Sequence, residues 1–312
     1  MIAVDVMGGD FAPDVVLQGA VAAAQKSIPV TLFGPYDLVY QWLTTRFPSW
    51  HTYPITIVDA PQQIAMDEES VAAVRSKTQS SLVKAVASVA SKECSAVISA
   101  GNSGALMVAS ALIIGMRDGI NRPAIAGFLP TSGGHPVLAL DLGANTECRP
   151  NHLYQFAHLG SEYVANMLNK PAPLVGLLSN GHEAGKGSVL TKETYALLKG
   201  SSLNFYGNVE PYDLFQGKVD VVVCDGFAGN VMLKTMESVV SLCILLDSSL
   251  KGKIADKGMH TIRGGAPLLG VKGCVIVCHG GASAQDIEDA ISMAYNTSKG
   301  DERSKTLILP EK

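Results

Sequence analysis

Short apolar runs alternate with helix-length stretches along the whole chain, and no other feature restricts the fold as strongly. A strand, a helical crossover and a second strand make a βαβ unit, and a series of such units gives an α/β protein built on a mainly parallel sheet. The pattern predicts strands over 2–6, 30–34, 55–59, 96–100, 124–129, 137–142, 174–179, 219–224 and 275–278. Helices are predicted over 13–26, 36–46, 81–92, 103–117, 152–169, 192–199, 229–248 and 284–295. No repeat, low-complexity tract or Pro/Ser-rich linker interrupts the pattern, so residues 1–312 read as one continuous domain.

Composition narrows the function classes. Hydrophobic residues make up 47% and charged residues 17%, which excludes a disordered chain and leaves more apolar surface than one sheet face can hide. Helices on both faces, or an obligate homodimer, would cover it. With 24 basic against 28 acidic side chains the net charge is −4, a poor match to a nucleic-acid partner. Six scattered cysteines and no leader-like start at Met1 point to a reduced cytoplasmic setting. Cys274, Cys278 and His279 lie in Gly-Cys-Val-Ile-Val-Cys-His, which reads as a buried strand rather than a metal site. The most apolar stretch, 231–246, is broken by Lys234 and Glu237 and reads as a core helix; the basic stretch 251–270 reads as a solvated loop.

Chemistry-bearing residues gather just after the strands. In a parallel sheet these positions share one edge with the amino ends of the following helices, where ligands bind. Gly8, Gly9 and Asp10 follow the first strand and suit either a turn with a helix cap or a substrate contact. Gly101-Asn102-Ser103-Gly104 opens a helix and offers N–H groups, an amide and a hydroxyl to a phosphate or oxyanion. Asp141 to Asn145 and Asp225 to Asn230 each place an acid and an amide around glycines, with capping as the plainer role for one acid in each. His279 is either an anion contact or a hydrogen-bonded structural residue. Arg75 and Lys77, ahead of the helix from Ser81, suit a second anion or a merely exposed basic turn.

The strongest basic signal is the loop from Ser179 through Asn180 to Gly185-Lys186-Gly187, where glycine N–H groups and one ammonium can surround a phosphate. It narrowly misses the P-loop pattern: Asn180 stands where the first Gly belongs, and Gly187 where the magnesium-binding Ser/Thr belongs. Val221-Val-Val-Cys-Asp225 imitates the supporting strand, so a P-loop kinase or ATPase is an alternative reading. No G-x-G-x-x-G follows the first strand, which weakens a dinucleotide-binding reading further.

In order along the chain, these loops resemble the PlsX family of bacterial phosphate acyltransferases. The resemblance rests on Val4-Asp-Val-Met-Gly-Gly-Asp-Phe-Ala-Pro13, Val74-Arg-Ser-Lys-Thr-Gln-Ser-Ser81, Ile98-Ser-Ala-Gly-Asn-Ser-Gly-Ala105, Asn121-Arg-Pro-Ala124 and Asp141-Leu-Gly-Ala-Asn145. It continues through Gly176-Leu-Leu-Ser-Asn180 with Lys186-Gly187, Leu190-Thr-Lys192, Gly207-Asn-Val-Glu210 and Asp225-Gly-Phe-Ala-Gly-Asn-Val231.

The resemblance implies a three-layer α/β/α fold similar to isocitrate and isopropylmalate dehydrogenases, and a homodimer at the inner membrane face. It also implies transfer of a long acyl chain from acyl carrier protein to inorganic phosphate, giving acyl phosphate for phospholipid synthesis without metal or nucleotide. Lys186 is then expected to clamp phosphate with the amides around Gly185 and Gly187, and Asn102 and Ser103 to meet phosphate or the acyl oxyanion. Asn145, Asp225 and Asn230 would complete the rim, Asp225 holding Lys186 or a water; Arg75 and Lys77 would meet the carrier protein. The stretch 247–265 is shorter than in that family, and the run after His279 reads Gly-Gly-Ala-Ser-Ala-Gln where the family carries a Gly-Ser-Ser-like run.

Overall fold

The structure, a computed structural model, describes residues 1–250 and 264–300. The chain divides into two compact units, Met1–Gly119 with Arg263–Lys312, and Ile120–Ile262, each with its own run of strands. The sequence reading took the same residues as one continuous unit.

In the first unit, β1 (Ile2–Asp5) pairs in parallel with β2 (Val30–Gly34) and β4 (Ala96–Ser99). β2 pairs in parallel with β3 (Ile55–Asp59), and β4 with β11 (Cys274–Val277). β10 (Ala266–Leu269) runs antiparallel to β11. Alternate strand residues point to opposite faces. Ile2, Val4, Ala96 and Ile98 pack against Val16, Leu17 and Ala20 of α1 (Asp14–Gln25) and Ile287, Ala290 and Ile291 of α10 (Ala284–Gly300). The other face is covered by α4 (Ser81–Ala90), whose first residues lie near Asp5. Between β3 and α4 runs the short α3 (Ser70–Ser76), and α2 (Tyr36–Arg46) joins β2 to β3.

The second unit repeats the three layers. β6 (Val137–Leu140) is antiparallel to β5 (Ala124–Leu129) and parallel to β9 (Val221–Val223), which is followed by β7 (Val175–Leu178) and β8 (Phe205–Val209), all parallel. Leu140 and Val221 lie against Gly160 of α6 (Pro150–Met167), which packs beside α7 (Val189–Lys199). The opposite row, Val137, Ala139 and Val222, packs against Leu214 of α8 (Pro211–Phe215) and Met232, Leu233 and Met236 of α9 (Gly226–Leu246).

Three expectations are corrected. The helix predicted over 103–117 is α5 (Ser103–Ala109) followed by a π-helical turn, Ser110–Ile114, which ends at Gly115 with a positive φ of 91°. The stretch 251–270 is not all loop, because Ala266–Leu269 is a strand; the remainder up to 263 lies outside the described residues. The helix over 231–246 is no core helix. Only Gly226 and Gly229 of α9 are fully buried; Met232, Leu233 and Met236 lie partly buried against the sheet, while Val239, Leu242, Leu245 and Leu246 are exposed, the last two at 82% and 78%, and left uncovered by the described part of the chain. By length and composition alone, α9 meets the requirement for a membrane crossing, as do many core helices.

Candidate active site

In the first unit, three loops after strands and the segment ahead of α3 knit together. Asp5 ends β1, and its Oδ2 accepts from Ser99 Oγ at 2.6 Å; the same hydroxyl accepts from Gly101 N at 3.0 Å. Gly8 and Gly101 cross here so closely that a Cβ on Gly8 would lie 2.7 Å from Gly101 N, so only glycine fits. Burial raises the Asp5 pKa above the ordinary carboxylate value, against the opposing effect of the Ser81 and Ser99 hydroxyls and the Met7 amide. Gly9 lies between Ala100 and Gly280, and Asp10 N donates to Gly280 O at 2.8 Å, tying the β1 loop to the β11 loop. The Asp10 side chain does not cap α1, whose cap position is Pro13. His279 Nδ1 accepts from Gly281 N at 3.0 Å within its own exposed turn.

Asn102 caps α5. Its Oδ1 accepts from Ala105 N at 3.0 Å, while Nδ2 donates toward the carbonyls of Ala65, Met66 and Glu68 at 3.3, 3.2 and 3.0 Å. Gly104 packs against Ser70. The amide of Asn102 is thus engaged by protein on both sides, and the chemistry open to a ligand at this helix start is the exposed Ser103 hydroxyl. Lys77 is not a free cation. It pairs with Glu68 at 2.6 Å and donates to Gln63 O at 2.9 Å; Ala65 N and Lys77 hold the Glu68 carboxyl below its usual range. Arg75 is exposed.

The second unit presents another cluster of post-strand loops. Asp141 is fully buried after β6 and collects the N–H groups of Ile125, Gly143, Ala144 and Asn145 together with Asn145 Nδ2. Burial raises its pKa, and the N–H groups of Ala144, Gly143 and Ile125 with the Asn145 side chain work against the rise. Asn145 also donates to Pro123 O at 2.7 Å and accepts from Gly226 N at 2.8 Å, so it is a buried brace between loops rather than a rim contact. Asp225 caps α9 by accepting from Ala228 N through Oδ1 at 2.9 Å, and no ion pair joins it to Lys186 among the described residues. Exposed Asn230 lies over Gly143 and donates to Leu142 O at 3.3 Å. Cys148, beside this loop, is pushed up to about 11 by burial and by Asp141. It is a poor nucleophile.

Lys186 is the most distinctive group. It ends a turn in which Lys186 N donates to Glu183 O at 2.9 Å, and its side-chain stem lies over Gly181. Gly185 is exposed, with open space where a Cβ would be. Gly187 has φ +91°, and a Cβ there would come within 2.6 Å of Thr191, so the turn requires glycine twice over. Ser188 then caps α7 by accepting from Thr191 N at 3.2 Å. The Lys186 ammonium and the side chain of exposed Asn180 have no protein partner among the described residues. Ser179 Oγ, 3.1 Å from where that Cβ would be, is buried and also lacks one. An unpaired cation, an orphaned hydroxyl and the start of an eleven-residue helix around one turn form a setting for an anion.

Comparison with known proteins decides the family. The family model described as fatty acid synthesis protein matches residues 1–303. A phosphate acyltransferase of Dehalococcoides mccartyi is 41% identical, covering 96% of this chain and 91% of that protein. The chain belongs to that family. A phosphate acyltransferase of Geotalea uraniireducens is 43% identical, covering 94% of this chain and 89% of that one. Among solved structures, a phosphotransacetylase from Streptococcus pyogenes superposes with a TM-score of 0.64 at 16% identity, covering 97% of this chain and 94% of that chain. A 4-hydroxythreonine-4-phosphate dehydrogenase from Klebsiella pneumoniae gives 0.59 at 14% identity, covering 96% and 99%. These likenesses bear out the three-layer, dehydrogenase-like fold; the family makes the protein a transferase of acyl groups.

Sequence reasoning singled out the loop from Ser179 to Lys186 but assigned no role to Ser179 or His182 within it, nor to Asn208 and Asp213, which meet that loop from elsewhere in the chain. Nothing in the spacing of Asn208 and Asp213 marks them, because they sit on a later strand and helix and meet the loop only in three dimensions.

Proposed function

We propose that the protein transfers a long-chain acyl group from acyl carrier protein to inorganic phosphate, releasing acyl phosphate and the free carrier thiol. The Lys186 ammonium, without a protein partner among the described residues and presented on a glycine-rich turn at the start of α7, carries this reading, because a small dianion would satisfy it. A substantial fraction of inorganic phosphate is dianionic near pH 7, its second ionisation lying somewhat above the value of about 6 for a phosphate ester, so it needs no strong base to attack a thioester. The new bond joins a phosphate oxygen to the carbonyl carbon. Collapse of the tetrahedral oxyanion breaks the C–S bond, and the thiolate leaves with the electron pair and takes a proton from water, its pKa being about 8.5 if it behaves like cysteine.

The protein then has three tasks: hold the dianion, orient it and stabilise the oxyanion. Lys186 with the Gly185 and Gly187 amides serves the first. The Asn230 amide and the open oxygen of Asp225 are the polar groups assigned to orienting substrate or a water. Orientation can contribute about 7–11 kcal/mol in favourable cases, and one oxyanion donor about 3–4 kcal/mol. Arg75 is the exposed cation assigned to the acidic carrier protein. The uncovered apolar positions of α9, among them Val239, Leu242 and Leu245, support a homodimer with peripheral contact at the cytoplasmic membrane face.

Incubation with long-chain acyl carrier protein and orthophosphate tests the reading. Residual thioester is removed and acyl phosphate trapped with hydroxylamine. Phosphate-dependent product and thiol release are expected, and absence of both across chain lengths would sink it. Lys186→Ala is expected to raise the phosphate KM and lower kcat/KM by about 10²- to 10³-fold, the scale of one lost charge-stabilising donor. Steady-state kinetics at varied phosphate check this.

A further inference from the structure

The turn that presents Lys186 is fastened from behind at two consecutive residues, by groups that play no part in the chemistry above. Asn208, at the end of β8 and 2% exposed, donates from Nδ2 to Glu183 O at 2.8 Å. That carbonyl is the one that accepts from Lys186 N at 2.9 Å and so closes the turn. One residue earlier, His182 Nε2 meets Asp213 Oδ2 at 2.5 Å. Asp213 is itself fixed, because Lys218 Nζ lies 2.5 Å from Oδ1 and Glu210 N donates to Oδ2 at 3.0 Å. Downstream, the chain is held by Gly187 and the Ser188 cap of α7. Fixing the first residue of a four-residue turn fixes its last, and the last is Lys186.

We infer that His182, Asn208 and Asp213 are positioning residues for the phosphate site, holding the Glu183–Lys186 turn so that the ammonium is placed before phosphate arrives. This rests on the reading of Lys186 as the phosphate clamp. A flexible lysine on a glycine-rich loop would have to be ordered by its ligand, at a cost in affinity. A loop fastened in advance avoids that cost, and its benefit appears in phosphate binding. The arrangement also dictates which substitutions report cleanly. Removing Asp213 would strand Lys218 and confuse stability with function, whereas His182 is half exposed and its removal leaves Asp213 paired to Lys218. Asn208→Asp keeps the side-chain shape but turns a carboxylate oxygen toward the Glu183 carbonyl.

The test measures phosphate KM, acyl-donor KM, kcat and hydrogen exchange of the 183–188 amides for the full-length wild type, H182A, H182Q, N208A, N208D and K186A. H182A and N208A are expected to raise phosphate KM about tenfold, the equivalent of one lost anchoring hydrogen bond. Acyl-donor KM should stay unchanged and the 183–188 amides should exchange faster. Glutamine can place an N–H near the position of His Nε2, so H182Q should recover most of the phosphate affinity, and N208D should be worse than N208A. If H182A and N208A keep phosphate KM and exchange within twofold of wild type while K186A is impaired, the anchors have no such role although the Lys186 reading stands. The proposal is also overturned if H182Q is as impaired as H182A, or if both KM values rise while the melting temperature falls, since either marks a general structural defect. Wild-type phosphate KM in K186A would overturn the clamp reading itself and the anchors with it.

Discussion

Alanine at position 187 would have to adopt φ +91° and push its Cβ into Thr191, so Gly187→Ala is expected to cost about 1–3 kcal/mol and to displace Lys186. Urea unfolding combined with phosphate kinetics would show both effects. Asp213 offers a second residue-level prediction. Burial would raise its pKa, but Lys218, Glu210 N and His182 outweigh burial and hold it at about 2, below the ordinary 3.8. A depressed native pKa means the ionised form stabilises the fold above the unfolded value, and that contribution is lost as pH falls from about 4 toward 2. Asp213→Asn should therefore melt well below wild type near neutral pH, with the gap closing across that acidic interval in thermal scans. Residue-level roles were the least legible part of the sequence. Asn102 and Asn145 stand in ligand-like motifs, yet both amides are engaged by carbonyls from distant segments, Ala65 to Glu68 and Pro123. A motif locates a side chain at a strand end but does not say which of its atoms are already occupied.

At the scale of elements, α9 carries the sharpest expectation. Its Val239, Leu242 and Leu245 contribute little to burial within the described chain, so serine at all three should change the unfolding free energy of the single chain by less than about 1 kcal/mol. If those side chains meet a second copy, sedimentation will shift from dimer to monomer; unchanged association would remove them from any such interface. The apolar pattern of α9 was plain in the sequence, but apolarity records only that something should cover a face and not what covers it. Elsewhere legibility followed regularity. β2, β3, β5 and α2 have the predicted bounds because uninterrupted apolar or amphipathic runs end at Gly, Pro or Asp. β8 was missed because Gly207 and Asn208 weaken its pattern and its pairing with β7 carries a register shift. β10 was missed because Pro267 reads as a breaker, whereas here it lies in a strand whose antiparallel partner is β11. α8 has only five residues, too few to show a period.

At the scale of the whole molecule, the first unit is discontinuous: α1, near the amino end, packs on α10, near the carboxyl end, with Gly19 against Ile287. A chain ending at residue 262 would lack β10, β11 and α10, leaving Val16, Leu17 and Ala20 uncovered. Such a truncation is expected to be less soluble than the full chain and to expose its first 119 residues to limited proteolysis, while 120–250 is cut more slowly. Equal protection of both segments would contradict that. The mainly parallel, layered architecture was legible because βαβ alternation leaves few topologies open. The division into two units was not, since no linker composition announces it.

The same discontinuity sets an order of events during translation. At roughly 5–20 residues per second, the partner of the first helix leaves the ribosome about 14–55 s after the helix itself. For that interval the nascent amino terminus has an unsatisfied greasy stripe and the middle of the polypeptide can already have condensed. Holdase chaperones would find their natural window there, and synonymous codons that slow the last fifth of the message would lengthen it.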